Sequence, residues 1–201
     1  MRLHEARKDL YRRLAKEQGY KSRAAFKLIE ANKKYSFLTN GAKVLDFGSS
    51  PGGWSQVAAE LVGPDGVVLG VDTSPTKVRD RNVVTLTMDV YDPKFPGKAL
   101  AGLGGKSDVF LSDLSPSVSG VWELDQTKQV DLTMKVLDLV PSLLKSGGSL
   151  FCKLFEGERS EEVRSRLRQT FKNVRVIKPA ASRNASSELY YFCDGLKETS
   201  D

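Results

Sequence analysis

Lys43-Val44-Leu45-Asp46-Phe47-Gly48-Ser49-Ser50-Pro51-Gly52-Gly53-Trp54 reads as a short apolar strand that runs into a glycine-rich turn and then into a helix. A continuous apolar run of this kind suits a strand buried on both faces, as in a parallel sheet covered by helices. Glycines in the turn let the backbone approach a ligand closely, and the helix expected over 53–62 offers unpaired N–H groups at its start. The turn lacks Gly-x-x-x-x-Gly-Lys-Ser/Thr and so does not read as a triphosphate cradle; it also departs from Gly-x-Gly-x-x-Gly.

Outward from this stretch, apolar β-branched runs recur with helical patterns between them. Strands are expected at 43–48, 67–72, 83–88, 108–112, 149–154, 173–178 and 188–193, and helices at 22–35, 53–62, 123–145 and 159–170. In the third helix Val130, Met134, Leu137 and Val140 keep one face apolar. Residues 96–106 are the loosest stretch, a surface helix with a glycine-rich exit. Alternating strands and helices imply an α/β fold with a doubly wound, Rossmann-like sheet of seven mostly parallel strands. The last two strands have no helix between them, which predicts a C-terminal antiparallel hairpin at the sheet edge.

The chain has 201 residues, 40% of them hydrophobic, enough for one domain with its own core. No repeat or linker divides 1–201. No apolar run approaches the ~20 residues of a membrane span, and the start, Met1-Arg2-Leu3-His4-Glu5-Ala6-Arg7-Lys8, lacks the apolar stretch of a secretory leader. A cytoplasmic protein is expected, a monomer by default. Cys152 and Cys193 fall inside strand-like runs and read as small core residues; with His4 the sole histidine, no metal site is expected.

Charge is unevenly distributed. Residues 1–34 hold eleven Lys/Arg against four Asp/Glu, net +7, and the remaining residues 20 against 21, net −1. Such a segment is either a solvated basic helix or an arm that contacts nucleic-acid phosphates. Charge alone does not choose between these; the chain is expected to divide into a basic N-terminal extension, 1–34, as the candidate RNA-contacting arm, and a cofactor-binding and catalytic core, 35–195. Of the aromatics near it, Phe26 falls at core spacing, and Tyr11 and Tyr20 are open to a role in stacking on splayed bases.

Three acids end or line successive strands beside the glycine turn: Asp46, Asp72 and Asp89. Asp72 stands where an acid hydrogen-bonds a ribose in dinucleotide folds, and Asp89 is suited to an adenine amino group. Together they favour a cationic adenosine cofactor, S-adenosylmethionine, over NAD.

The chain resembles the FtsJ-type, or RrmJ-like, ribosomal RNA ribose 2′-O-methyltransferases over residues 18–195. The matching text is Ser22-Arg23-Ala24-Ala25-Phe26-Lys27-Leu28, then Asp46 to Trp54 with Ser55-Gln56, and Ser112-Asp113-Leu114-Ser115-Pro116. It continues through Lys153-Leu154-Phe155-Glu156-Gly157 and Lys178-Pro179 to Ser182-Arg183-Asn184-Ala185-Ser186-Ser187-Glu188-Leu189-Tyr190. The resemblance implies a class I methyltransferase fold, a catalytic set of Lys27, Asp113, Lys153 and Glu188, and cofactor contacts at Gly52, Trp54, Asp72, Asp89 and Asp113. It implies methylation of a ribose 2′-hydroxyl, with a uridine of 23S rRNA within a ribosomal subunit as the expected target. The alternatives are a tRNA substrate or a non-catalytic RNA-binding protein of the same fold. Ser115-Pro116-Ser117-Val118 stands where bacterial members typically have Ala-Pro-Asn-Met.

Transfer to a hydroxyl requires that its proton leave during or just after attack. Lys153 is the candidate base, but an unperturbed lysine has a pKa of about 10.4. Desolvation and Lys27 would lower it, whereas Asp113 favours the charged form. The other possibility is that Lys153 stays protonated and orients the hydroxyl while Asp113 accepts the proton.

Overall fold

The computed structural model describes residues 3–117, 119–182 and 187–197, leaving aside the side chains of 3–9. Arg183 to Ser186 of the matching text, and the side chains of His4, Arg7 and Lys8, lie outside the described residues. The elements are α1 (Leu3–Glu17), α2 (Ala25–Tyr35), β1 (Lys43–Phe47), α3 (Gly53–Val62), β2 (Val67–Asp72), β3 (Val83–Thr87) and α4 (Phe95–Leu103). They continue with β4 (Ser107–Ser112), α5 (Trp122–Leu143), β5 (Leu144–Phe155), α6 (Ser160–Thr170), β6 (Phe171–Ile177) and β7 (Glu188–Leu196).

The seven strands form one sheet in the order β3-β2-β1-β4-β5-β7-β6. The pairings β3–β2, β2–β1, β1–β4 and β4–β5 are parallel, and β7 runs antiparallel to both β5 and β6. The expected hairpin is present, with its second strand inserted between β5 and β6 rather than at the edge. Strand order reverses between β1 and β4, and at such a point the loops diverge and leave a crevice at the carboxyl ends.

Alternation along β1 feeds two cores. Leu45 and Phe47 pack with Phe95, Phe110, Leu137 and Val140 under α4 and α5, while Val44 packs on the opposite face with Leu28, Trp54 and Val57 of α2 and α3. Three other expectations are adjusted. α4 is no loose surface helix: Phe95, Ala99 and Leu103 are buried at helical spacing. β5 begins at Leu144, because Leu144 pairs with Ser107 before the polar Lys145-Ser146-Gly147-Gly148 bulges out and pairing resumes at Ser149 and Val109. The division expected at 34/35 falls in the last turn of α2, whose Ala25, Leu28 and Ala31 are buried.

The N-terminal segment also contains α1, whose Tyr11 ring lies 5.4 Å from Phe26 while Tyr20 meets Phe26 edge-on at 5.9 Å. The Tyr20 hydroxyl donates to Glu60 at 2.9 Å. These half-buried rings pin α1 and the following turn to α2 and α3, whereas Arg12, Arg13 and Lys16 face outward. Among the described residues, no helix is long and apolar enough to cross a membrane.

Phe110 of β4 is fully buried, edge-on to Phe47 at 5.1 Å. Phe110→Ala is expected to lower stability by about 3–5 kcal/mol, read as a fall in the urea midpoint at unchanged slope.

Candidate active site

The site lies at the carboxyl ends of β1, β2, β4 and β5. β7 joins them because it is antiparallel, so its first residue, Glu188, arrives at the same edge. Its register sets Lys153 opposite Tyr190 and Phe155 opposite Glu188, and alternate residues of a strand share a face. α2 covers that face and contributes Lys27.

The four residues expected to act together are brought together, in a chain with a fifth member. Lys27 Nζ stands 3.3 Å from Glu188 Oε2 and donates to the Tyr190 hydroxyl at 2.6 Å. Tyr190 in turn donates to Asp113 Oδ1 at 3.1 Å, and Lys153 Nζ stands 3.2 Å from the same oxygen. Lys153 also donates to the Asp113 carbonyl at 3.0 Å and to Ser115 Oγ. Three acceptors around Nζ match the three donors of an ammonium. The Lys153 carbonyl is held from α5 by Gln129 Nε2 at 3.3 Å, with Thr133 Oγ1 donating at 3.5 Å.

The electrostatics favour a charged resting site. Burial alone would raise the Asp113 carboxyl, but Lys153 and Lys27 beside it, with hydrogen bonds from Lys153 and Tyr190, hold it below its usual value. Burial, reinforced by Asp113 and Glu188, holds the Tyr190 phenol well above its ordinary value. Tyr190 is therefore a neutral link that accepts from one lysine and donates to the carboxylate. Sequence reasoning did not assign it or Ser115. Tyr190 is two residues from Glu188 within an apolar strand, so the strand period was the available signal; Ser115 becomes an acceptor only through the fold of its loop.

A cleft of about 540 Å³ opens beside Asp113, lined by Gly48, Asp72, Met88, Asp89, Tyr91 and Leu132 among others. Gly48 has φ +76°, and a Cβ there would come within 2.8 Å of Leu114 N. A side-chain-free residue is thus required for β1 to lie against the backbone that carries Asp113, and Asp113 N bonds to Phe47 O at 3.1 Å. Asp72 accepts from Ser50 N at 3.0 Å and Ser74 N at 2.8 Å, and Asp89 accepts from Tyr91 N at 2.9 Å. The acids therefore shape the loops while leaving the cleft lined with carboxylates and with apolar walls. Such a lining fits a cation that carries an aromatic base, as S-adenosylmethionine does.

Three residues of this loop also pack against the protein itself. Gly52 does not line the cleft: a Cβ there would meet Val78 Cγ2 at 2.2 Å, so its bare backbone accommodates the 76–78 segment. Trp54 is buried, donates its indole N–H to Ala24 O at 2.8 Å and stacks on Phe151 at 5.2 Å; it lines a neighbouring crevice with Arg23, Lys27 and Asp113. Asp46 points into the core, where it accepts from Ser55 Oγ at 2.6 Å. Among the described residues no group of His, Cys, Asp and Glu is gathered to hold a metal ion.

Comparison with known proteins gives the family and the fold. A family model described as FtsJ-like methyltransferase matches residues 20–196. The chain is 41% identical over 187 residues to the ribosomal RNA large subunit methyltransferase E of Methanothermobacter thermautotrophicus, covering 92% of this chain and 89% of that one. Among solved structures, a putative ribosomal RNA methyltransferase of Plasmodium falciparum matches with a TM-score of 0.78 and 26% identity over 88% of this chain and 98% of that one. Aeropyrum pernix fibrillarin, solved with natively bound S-adenosyl-L-methionine, shares the fold at a TM-score of 0.56 and 16% identity, over 78% of this chain and 68% of that one.

Burial pushes the Asp46 carboxyl up to about 7, with Asp113 and Asp72 adding to the shift and Ser55 opposing it. An acid whose folded-state pKa is raised keeps its proton where the unfolded chain has lost it. Wild-type stability therefore falls as pH rises from the ordinary carboxyl value, 3.8, to about 7. Asp46→Asn is expected to gain on wild type by a few kcal/mol across that window; an equal stability difference at pH 4.5 and 7.5 in urea titrations would show that Asp46 titrates normally.

Proposed function

This chain belongs to the FtsJ-like methyltransferase family, and from that premise we propose that it methylates a ribose 2′-hydroxyl of RNA, at a uridine of 23S rRNA in the large ribosomal subunit. S-adenosylmethionine is its methyl donor, supplying when bound a methyl group on a positively charged sulfur. The observation that carries the reading is the chain Glu188–Lys27–Tyr190–Asp113–Lys153 at the lip of an acid-lined cleft. The names carried by relatives support the ribosomal substrate, and the resemblance in sequence supports ribose and uridine. The reaction is placed in the cytoplasm.

In this mechanism Lys153 works as an ammonium. It is held by Asp113 and exchanges its bond to Ser115 Oγ for one to the arriving 2′-oxygen, orienting a lone pair for in-line attack. The new bond is O2′–CH3 and the broken bond is S–CH3. A carboxylate held below its usual value is a poor base toward a neutral hydroxyl. It is adequate toward the protonated ether that develops as the carbon–oxygen bond closes, so Asp113 accepts the proton late. Lys27 and Glu188 hold Tyr190 and keep Asp113 ionised. Asp72 and Asp89 would hold the adenosine part, and Asp113 would attract its positive charge.

Transfer of labelled methyl from S-adenosylmethionine to RNA from cells lacking this protein, followed by nucleoside analysis, tests the reaction. A 2′-O-methylated uridine in large-subunit rRNA is the expected product; label on a base or on tRNA would overturn the assignment. Lys153→Ala is expected to lower turnover by at least about 10³-fold while cofactor affinity in calorimetry stays within a small factor. Near-normal turnover would remove Lys153 from the chemistry.

The basic residues of the extension, of which Arg12, Arg13 and Lys16 face outward, serve as its grip on RNA phosphates. Neutralising Arg7, Lys8, Arg12 and Arg13 together is expected to weaken RNA binding and reduce the slope of log K against log salt by roughly 0.7 for each phosphate left without its cation. An unchanged slope would remove the extension from the binding surface.

A further inference from the structure

At the rim of this site stands an aromatic surface that the chemistry above leaves unused. Among the described residues eight large hydrophobics are exposed, and three of them, Val121, Trp122 and Leu124, adjoin one another at the start of α5. Trp122 is 47% exposed. Its ring lies 5.8 Å from that of Phe155, and the Phe155 ring lies 5.7 Å from Lys153 Nζ. Phe155 thus stands between the indole and the lysine that the mechanism gives to the acceptor oxygen. Adjoining exposed apolar side chains at the rim of a site are surface that a partner can cover.

The surface is held in shape. Asp125, one turn into α5, accepts from Ser119 N at 2.8 Å, Ser119 Oγ at 2.7 Å and Gly120 N at 3.3 Å, and Ser119 Oγ accepts from Val121 N at 3.2 Å. The turn that presents Trp122 is therefore fixed by a carboxylate before any partner arrives.

We propose that Trp122 and Phe155 form a stacking platform for an unpaired nucleobase next to the acceptor ribose. The proposal rests on the RNA methyltransferase reading above and adds to it the element that holds the base. A base is joined directly to its ribose, so a 2′-oxygen held at Lys153 brings a base, its own or its neighbour's, within reach of these rings. Single-stranded RNA is gripped by aromatic faces because every base has a π-surface. Glu123, exposed beside Trp122, makes the spot unfavourable for a phosphate and leaves the flat face of a base as the complementary partner. Trp122 is accordingly a positioning residue that touches the substrate and takes no part in proton transfer.

The test is steady-state methyl transfer by the full chain to unmodified large-subunit rRNA, comparing wild type with Trp122→Ala and Trp122→Phe. Stacking of one base predicts that Trp122→Ala raises KM for RNA by about ten-fold or more. Trp122→Phe should recover most of the loss, with cofactor affinity and the urea midpoint unchanged in both. Trp122 is also an optical reporter: the chain has two tryptophans, and Trp54 is buried at 3% exposure. Adding the RNA should quench the exposed indole, and the quench should vanish in Trp122→Phe. Wild-type transfer to RNA with an unchanged KM in Trp122→Ala would overturn the platform and leave the RNA methyltransferase reading standing. Loss in Trp122→Ala restricted to a protein partner or to self-association would overturn the nucleobase as occupant. No transfer to RNA by wild type would overturn the underlying reading, and the platform with it.

Discussion

Two buried lysines and a half-buried carboxylate meet at one end of the sheet, and buried charge has to be paired. Lys27 is 5% exposed and Lys153 3%. Removing an ammonium or carboxylate from water costs several kcal/mol per ion unless partners replace the hydration. Here Asp113 faces both lysines, Glu188 supports one, and the Tyr190 hydroxyl bridges Lys27 to Asp113. These interactions join α2, the end of β4, β5 and β7, elements far apart in the chain. Taking away Asp113 would leave Lys153 charged with no carboxylate beside it, so the arrangement restricts how these elements can pack.

That pairing depends in turn on the direction of one strand. In a parallel sheet the carboxyl ends share an edge, and residues that open a parallel strand are at the other edge. β7 runs against β5, so its opening residues, Glu188 and Tyr190, reach the edge where Asp113 and Lys153 already stand. Because side chains alternate, a slip of one residue would turn Tyr190 to the opposite face and separate Lys27 from Asp113. The pairs Cys152–Tyr191 and Leu150–Cys193 anchor the register on the other face, where all four side chains are buried.

Much of this was legible in the sequence. Apolar runs at 43–48, 67–72 and 108–112 became strands because both faces are covered, and the missing helix before 188 signalled the antiparallel return. Lys27, Asp113, Lys153 and Glu188 were found through motif text, not through periodicity, since nothing local tells a strand-end lysine from a surface one. Gly52 and Trp54, expected as cofactor contacts, also have packing roles that the sequence does not reveal. A glycine that admits a ligand and a glycine that admits Val78 look alike in one dimension, and so do an exposed and a wedged tryptophan. Tyr190 was hidden inside an apolar run, where its hydroxyl has no signature until the register sets it opposite Lys153. Asp46 looked like its neighbours at the strand ends, yet the alternation of β1 turns it into the core.

The sheet order also explains how one site can accept partners of opposite charge. The cleft that fits a cationic cofactor is built from the ends of β2 and β3, where Asp72 and Asp89 sit. The lysines come from the other side of the switch point, from β5 and from α2 lying over β7. A polyanion approaching the acidic half would be repelled, and a sulfonium approaching the lysines likewise. Asp113, which closes β4 at the centre of the order, is the one carboxylate that belongs to both halves. An ionised group there holds Lys153 on one side and would attract a positive cofactor on the other. In the proposed reaction the strand order would thus set the place where methyl and hydroxyl meet, before any contact with RNA.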